Sequence, residues 1–149
     1  DRSFENYPSS YVMNPGVIAQ NHRMTAVNAI LQIDLLGQCN AEFLEGRQYS
    51  GTGGQLDFVR GAYDSPEGKA ILVLYSTAKN EKVSRIVSRF PAGTMVTTPR
   101  NDAHYVATEY GIVNLKGKST RARALALISI AHPKFREGLM REAENMSLM

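Results

Sequence analysis

The sequence has 149 residues, of which 43% are hydrophobic and 21% charged, with a formal net charge of +3. This length suits one domain with a hydrophobic core, and the composition excludes disordered and fibrous classes. The apolar stretches fall far short of the roughly 18–20 residues of a membrane span. The basic residues are scattered, unlike those of nucleic-acid-binding proteins. We therefore expect no membrane helix and no nucleic-acid partner, and the slight positive charge favours an anionic ligand.

The start of the chain and its cysteine content bear on its location. The sequence begins at Asp1 rather than at a methionine and shows no charged segment followed by an apolar one, which argues against a retained signal peptide. A start without methionine is expected of a fragment of a longer protein, and processing would leave the same mark. Cys39 is the single cysteine, so it can form no internal disulfide, and no other ligand type clusters with it. We expect a cytoplasmic protein without a bound metal.

The first third of the chain predicts one helix and a hairpin. Residues 1–11 are polar and aromatic, a composition suited to packing on a larger body. Asn14-Pro15 is a typical helix start, because asparagine caps the first turn and proline fits its first position, and it predicts a helix over residues 15–22. Imperfect alternation over residues 24–36 predicts a strand. Residues 40–44 form a second strand candidate, so the intervening glycine turn indicates a hairpin.

The middle of the chain is rich in turns. Residues 51–54 contain three glycines and precede residues 55–60, whose apolar content is typical of a helix. The apolar run at residues 69–75 predicts an interior strand, and residues 76–81 predict a polar loop. Three shorter strand candidates follow, separated by turns: residues 83–87, 94–98 and 104–108.

The last third changes to helical periodicity. Ser119 or Thr120 can cap a helix whose apolar side chains fall on roughly one side, and Pro133 marks its end. Apolar residues from Phe135 to Met146 then recur at intervals of three and four, which predicts a final amphipathic helix. Strands mixed with helices place the chain in the α/β class.

The glycine cluster at residues 51–54 is the strongest local signal for chemistry. Glycines allow consecutive N–H groups to converge on an anion, either a phosphate or a developing oxyanion. Glycine-rich turns also occur without any function, and no Lys-Ser/Thr pair follows at P-loop spacing, which argues against a nucleoside triphosphatase. Lys79 could serve as a phosphate-binding charge, although most loop lysines do not.

Residues 97–111 concentrate polar and titratable side chains, and two interpretations stay open. In one they form a site. In the other Arg100 pairs with Asp102, and Glu109 is solvated. His104 could be a base or a ligand, but a single histidine beside apolar neighbours is more often packed and hydrogen-bonded. No second histidine or cysteine lies at metal-ligand spacing.

Several ordered blocks of the sequence resemble one family. The blocks are Gly51 to Phe58, Ser76 to Asn80, Thr97 to Val106, Thr108 to Gly111 and Leu115 to Ser119. In order and spacing they are similar to the C-terminal domain of the acetyl-CoA hydrolase/transferase family, particularly its 4-hydroxybutyrate and butyryl CoA-transferase branch. The resemblance spans residues 1–149 as one domain. It implies an α/β fold of the NagB/RpiA/CoA-transferase type, with a mixed, largely parallel sheet flanked by helices.

The resemblance implies a mechanism that this chain does not complete alone. Enzymes of the family move coenzyme A between carboxylates through a glutamyl-CoA thioester, and their glutamate lies on the segment before this domain. Neither Glu42, Glu45 nor Glu109 has that context. The resemblance thus implies a CoA-transferase whose partners are an acyl-CoA, a short-chain carboxylate and an N-terminal domain, in a homo-oligomer without a permanently bound cofactor. Hydrolysis of the thioester, or a non-catalytic domain that binds coenzyme A or a protein, stays open.

The resemblance also assigns roles to individual residues. Gly54 corresponds to the glycine whose N–H helps form the oxyanion hole, and Asn14 to an asparagine near the acyl group. Glu109 corresponds to a buried glutamate near the catalytic centre, with an orienting or electrostatic role. Lys79, together with Gly53 and Gly54, is expected to contact coenzyme A. Two further cations are candidates for phosphate binding or structural pairing: Arg100 and Lys116.

Overall fold

The part of the chain that the computed structural model describes, residues 4–149, contains a main sheet of four strands, a second sheet of three strands, two sheets of two strands and five helices. The helices are α1 (Ser9–Val12), α2 (Pro15–Ile18), α3 (Gln55–Asp64), α4 (Thr120–Ser129) and α5 (Pro133–Asn145). The strands are β1 (Thr25–Ala29), β2 (Gln32–Asp34), β3 (Cys39–Asn40), β4 (Phe43–Leu44), β5 (Arg47–Gln48), β6 (Lys69–Val73), β7 (Thr77–Ala78), β8 (Val83–Ser84), β9 (Ile86–Val87), β10 (Tyr105–Thr108) and β11 (Gly111–Asn114). No helix within residues 4–149 is long and apolar enough to cross a membrane.

The main sheet has the strand order β1-β6-β10-β11. Strands β1, β6 and β10 are parallel, and β11 returns antiparallel to β10. In register, Val27 lies beside Ile71, and Ile71 lies beside Tyr105. The predicted mixed, largely parallel sheet of the α/β class is confirmed.

One face of this sheet forms the core with the helices. Its inward side chains include Ala26, Ala70, Leu72 and Val106, which are almost entirely buried. Helices α3, α4 and α5 supply the opposing apolar side chains, among them Val59, Leu127 and Leu139. Burying a leucine or valine side chain contributes about 1.5–3 kcal/mol each, so this layer anchors the fold.

The second sheet has the strand order β3-β2-β9, and its antiparallel strands β2 and β3 form the predicted hairpin. Its turn is held by Asp34, whose Oδ1 accepts hydrogen bonds from the N–H groups of Leu36 at 3.1 Å and Gln38 at 2.8 Å. The Gln38 side chain donates to Oδ2 at 2.6 Å. Burial raises the pKa of Asp34, while these hydrogen bonds oppose the rise. The carboxylate therefore takes the place of missing backbone partners in the turn.

Two predicted elements are shorter than expected. The helix over residues 15–22 ends at Ile18, where α2 crosses α3 so closely that a Cβ on Gly61 would lie 2.5 Å from the Ile18 Cβ. The strand over residues 24–36 is broken into β1 and β2. The chain passes from one sheet to the other at this break, which alternation of side chains does not reveal.

Other predictions at the strands were wrong. Residues 94–98 form no strand but a single bridge between Cys39 and Thr98, and Thr97 Oγ1 accepts from the Ala41 N–H at 2.9 Å. Within residues 4–149, backbone hydrogen bonds connect Thr97 and Thr98 only to Cys39, so the pairing does not extend into a ladder. The strand predicted over residues 40–44 is divided between β3 and β4, which belong to different sheets. Strand β7 lies in a predicted loop, and β5 and β11 were not predicted. Runs of two to four residues carry too little periodicity to be recognised.

Candidate functional site

A cleft of about 430 Å³ lies at the carboxyl ends of the three parallel strands. In open α/β sheets this edge is where ligands generally bind. Its apolar floor includes Ala29, Val73 and Ala107, one residue from each strand, and its charged groups are Arg85 and Glu109. The arrangement can hold an apolar chain with charged groups at its edge.

Glu109 lies in this cleft, where it is exposed rather than buried as the resemblance implied. Ser76 donates to its carboxylate from the hydroxyl at 2.6 Å and from the N–H at 2.9 Å. Desolvation alone would raise the pKa of Glu109, but the Ser76 hydrogen bonds outweigh it and hold the pKa below its usual value. Glu109 is therefore an oriented, ionised carboxylate.

Asn14 and Gly54 lie on neighbouring segments connected by Met13. A Cβ on Gly54 would lie 3.2 Å from the Met13 sulfur, and Asn14 follows Met13 directly. The Asn14 side chain caps α2 by accepting from the Gly16 N–H at 2.9 Å, as predicted. Its amide nitrogen donates to no group among residues 4–149. Asn14 thus combines a structural cap with a donor that remains available.

The glycine loop opens helix α3, as predicted. Gly53 has a φ of +54°, the left-handed conformation that favours glycine, whereas Gly54 has a φ of −93° and caps the helix. The Gly54 N–H has no acceptor in the described part of the chain. Unpaired N–H groups at a helix start carry partial positive charge, which suits an anion or a developing oxyanion.

Lys79 lies in a second cleft, of about 610 Å³, beside Glu45. Its ammonium donates to the Glu45 carboxylate at 2.7 Å, and this hydrogen bond and the carboxylate charge raise the pKa of Lys79. Both side chains are largely exposed. Residues 79–81 all have left-handed φ values, between 53° and 61°. The strained turn between β7 and β8 thus presents Lys79 to the cleft.

Arg85 lines both clefts and joins them. Its guanidinium makes no ion pair or hydrogen bond with any residue between 4 and 149, although Glu109 lines the same cleft. An arginine without an internal partner suits a planar anion such as a carboxylate or phosphate. The sequence analysis missed Arg85, because the alternation of residues 83–87 indicated only a strand.

Other polar residues predicted as candidates have structural roles. His104 is buried, stacks on Tyr105 at 4.3 Å and accepts from the Ala70 N–H at 3.5 Å. Burial, with the charges of Lys116 and Lys69, lowers its pKa. The packed, hydrogen-bonded interpretation of His104 is therefore confirmed, and no group of acidic, histidine or cysteine side chains in residues 4–149 could hold a metal.

The charged loop around residue 100 is likewise structural. Asp102 pairs with Arg60 at 3.2 Å, so the expected pair with Arg100 is wrong. The Arg100 carbonyl accepts from the Arg123 guanidinium. Lys116 donates to the Asn101 carbonyl at 2.6 Å and lies over the Tyr63 ring. These contacts fix the loop before β10 and support the structural alternative for Lys116. Arg100 takes part only through its main-chain carbonyl, so phosphate binding by its side chain stays a prediction.

The candidate residues thus form two groups: Asn14 and Gly54 around Met13, and Lys79 and Glu109 in clefts joined by Arg85. No hydrogen bond or ion pair connects the groups in the described residues. Asn14, Lys79 and Glu109 are exposed, whereas Gly54 and Arg85 are half-buried. The arrangement supplies anion-binding donors and an oriented carboxylate, but no side chain activated as a nucleophile.

Comparison with known proteins defines the class to which this arrangement belongs. A sequence model described as the acetyl-CoA hydrolase/transferase C-terminal domain matches residues 1–143, and the chain belongs to this family. It is 54% identical over 138 residues to a 4-hydroxybutyrate coenzyme A transferase of Clostridium kluyveri, covering 93% of this chain and 32% of the relative. The chain thus spans about a third of the length of the curated relatives it matches.

Solved structures show the same fold. The crystal structure of RipA from Yersinia pestis superimposes with a TM-score of 0.89 at 53% identity, covering 95% of this chain and 32% of that one. A 4-hydroxybutyrate CoA-transferase from Porphyromonas gingivalis superimposes with a TM-score of 0.79 at 40% identity, covering 98% of this chain and 33% of that one. The predicted family and its fold are therefore confirmed.

Proposed function

We propose that the chain is the C-terminal domain, residues 1–149, of an enzyme that moves coenzyme A between short-chain carboxylates of the 4-hydroxybutyrate, butyrate and acetate type. The observation that carries the proposal is the family match over residues 1–143. The clefts support it, because they are lined by basic side chains and an oriented carboxylate but by no activated nucleophile. The missing glutamate belongs to an N-terminal domain. A cytoplasmic location, a homo-oligomer and the absence of a permanently bound cofactor are parts of this proposal.

Each group receives one task in the proposed reaction. A glutamate of the N-terminal domain attacks the thioester carbonyl of the acyl-CoA and releases the coenzyme A thiolate, which leaves an anhydride. The thiolate then attacks the glutamyl carbonyl of this anhydride, so the glutamyl-CoA thioester forms and the carboxylate leaves. The Gly54 N–H donates to the oxyanion that develops at the carbonyl under attack, with the Asn14 amide beside it. Glu109, held by Ser76, orients and stabilises groups of the reacting centre through its negative charge. Lys79 and Arg85 bind anionic parts of the acyl-CoA or of the acid.

The test of the reaction is exchange between two acids. The full-length protein, incubated with acetyl-CoA and butyrate, should produce butyryl-CoA and acetate with little free coenzyme A, because the acceptor carboxylate resolves the covalent thioester. Product analysis by mass spectrometry, with and without butyrate, checks this. Free coenzyme A released equally in both reactions would instead favour hydrolysis, the second activity in the family's description.

Replacing Lys79 by alanine should raise the KM for the acyl-CoA about tenfold and leave the KM for the free acid unchanged. A charge-assisted hydrogen bond to a phosphate contributes about 1.5–3 kcal/mol, and it binds ground and transition states alike. Steady-state kinetics with both substrates varied provides the measurement.

Glu45→Ala is the matched control, since it removes the same ion pair but retains the lysine. It should leave the KM for the acyl-CoA unchanged or lower it. If both variants raised this KM equally, the ion pair itself would matter, and Lys79 would not be a ligand of coenzyme A.

A further inference from the structure

The segment that opens helix α5 contacts both turns that carry candidate functional residues. One is the turn at residues 79–81, which begins with Lys79, and the other is the turn between β10 and β11, which begins with Glu109. The ring of His132 meets the Tyr110 ring edge-on, with 5.4 Å between their centres. Its Nε2 lies 3.7 Å from a carboxylate oxygen of Glu81. One side chain therefore contacts both turns.

Three contacts fix the orientation of the His132 ring. Besides Tyr110, it packs against Phe135, with 6.0 Å between ring centres, and only 16% of the side chain is exposed. Its Nδ1 caps α5 by accepting from the Lys134 N–H at 3.2 Å. A ring nitrogen that accepts carries no proton, so in the neutral ring the proton is on Nε2, the atom that faces Glu81. The ring thus presents a donor to the Glu81 carboxylate.

The turn that carries Glu109 is attached to the same segment by further contacts. The Thr108 hydroxyl donates to the Ile130 carbonyl at 2.6 Å and accepts from the Tyr110 N–H at 3.1 Å. The Arg136 guanidinium lies 5.7 Å from the centre of the Tyr110 ring. This turn therefore keeps its place beside α5 even without the His132 ring.

The turn at residues 79–81 needs support from outside itself. Its three residues are exposed, and the strands on either side, β7 and β8, have two residues each. The left-handed conformations of all three residues cost free energy. Two contacts from the α5 segment reach Glu81: His132 faces its carboxylate, and the Lys134 ammonium donates to its carbonyl at 3.5 Å. Such contacts shift the local equilibrium toward the ordered turn.

We infer that His132 is a positioning residue, which holds the turn of Lys79 at a fixed place relative to the turn of Glu109. This inference rests on the proposed function, in which Lys79 binds the acyl-CoA and Glu109 acts at the reacting centre. His132 acts through Glu81 and the backbone of the turn rather than on the substrate. With the two turns connected in advance, one bound molecule can meet both groups without first ordering the loop.

The test replaces His132 by asparagine in the full-length protein. Asparagine retains the helix cap, since Asn14 before Pro15 caps α2 in the same way, but it lacks the ring and the Nε2 atom. The kinetic measurements are kcat and the KM values for the acyl-CoA and the free acid. The melting temperature and the rate of tryptic cleavage after Lys82, identified by mass spectrometry, report on the fold and on opening of the turn.

We expect His132→Asn to raise the KM for the acyl-CoA about two- to fivefold and to speed cleavage after Lys82 by a similar factor. The KM for the free acid, kcat and the melting temperature should not change. In a Lys79→Ala background the substitution should raise the KM for the acyl-CoA no further, because both changes act through one side chain.

His22→Asn is the matched control. His22 also faces a glutamate, with its Nε2 4.0 Å from a carboxylate oxygen of Glu67, and neither residue lines the two clefts. This variant should change none of the measured quantities.

An unchanged rate of cleavage in His132→Asn would overturn the inference, and so would an equal rise of the KM in the Lys79→Ala background. A lower melting temperature with both KM values raised would assign His132 a purely structural role and overturn it as well. Faster cleavage in His132→Asn, combined with a normal KM in Lys79→Ala, would refute the proposed role of Lys79 and leave the positioning of the turn standing.

Discussion

The 149-residue chain alone should unfold cooperatively and yet show neither transferase nor hydrolase activity. Cooperative unfolding is expected because the sheet and helices α3, α4 and α5 share one buried apolar cluster. Inactivity is expected because the oxyanion and binding groups cannot form a covalent intermediate without a nucleophile. A melting curve, followed by incubation with acetyl-CoA and butyrate and a search for products and a glutamyl-CoA adduct by mass spectrometry, checks both parts.

The control for this experiment is the Glu109→Gln variant of the same chain. It keeps the shape of the side chain and a hydrogen-bond acceptor for Ser76 but cannot form a glutamyl thioester. An adduct in the parent chain that disappears in this variant would place the nucleophile at Glu109 and refute the division between two domains. Contaminating activity would instead be the same in both preparations.

Replacing Gly54 by valine in the full-length protein should lower kcat by about a hundredfold or more, because loss of one oxyanion-hole donor has an effect of this size. The melting temperature should change little. The φ of −93° is accessible to any residue, and a Cβ would meet only the flexible Met13 side chain. The expected damage is therefore displacement of the N–H by the branched side chain rather than loss of the fold.

Two other glycines of the chain provide matched controls. Gly138→Val lies in α5 with open space around it and should leave kcat unchanged. Gly61→Val would collide with the Ile18 Cβ, so it should lower the melting temperature strongly. A Gly54→Val protein that behaves like the first control would remove Gly54 from the site, and one that behaves like the second would indicate a structural role.

Local signals explain which elements could be predicted. The Asn14-Pro15 cap, the glycine loop before α3 and the Ser119 cap of α4 are each determined by a few adjacent residues, and all were confirmed. The hairpin at Gly37 was also confirmed, since one aspartate and one glycine determine its turn. The break between β1 and β2 was not predicted, because it depends on a second sheet whose strands lie some distance apart in the chain.

The clefts form between strands that are neighbours in the sheet but lie far apart in the sequence. Ala29, Val73 and Ala107 meet because β1, β6 and β10 are neighbours in the sheet, although Val73 lies 44 positions after Ala29 and 34 positions before Ala107 in the sequence. Arg85 enters the same cleft from a different sheet. The family resemblance pointed to Glu109 and Lys79, but neither the exposure of the first nor the ion pair of the second follows from local residue types.

The turn at residues 79–81 has an entropic consequence. Three successive residues without glycine have left-handed backbone conformations, and each costs about 1–2 kcal/mol relative to a right-handed one. Hydrogen bonds and pairing of β7 with β8 hold the turn in this single shape. The backbone freedom that a loop ordinarily loses when it closes on a ligand has therefore been lost already during folding. Because the backbone at Lys79 is ordered in advance, the lysine can bind an anion without ordering its loop first, and this favours binding without any additional contact.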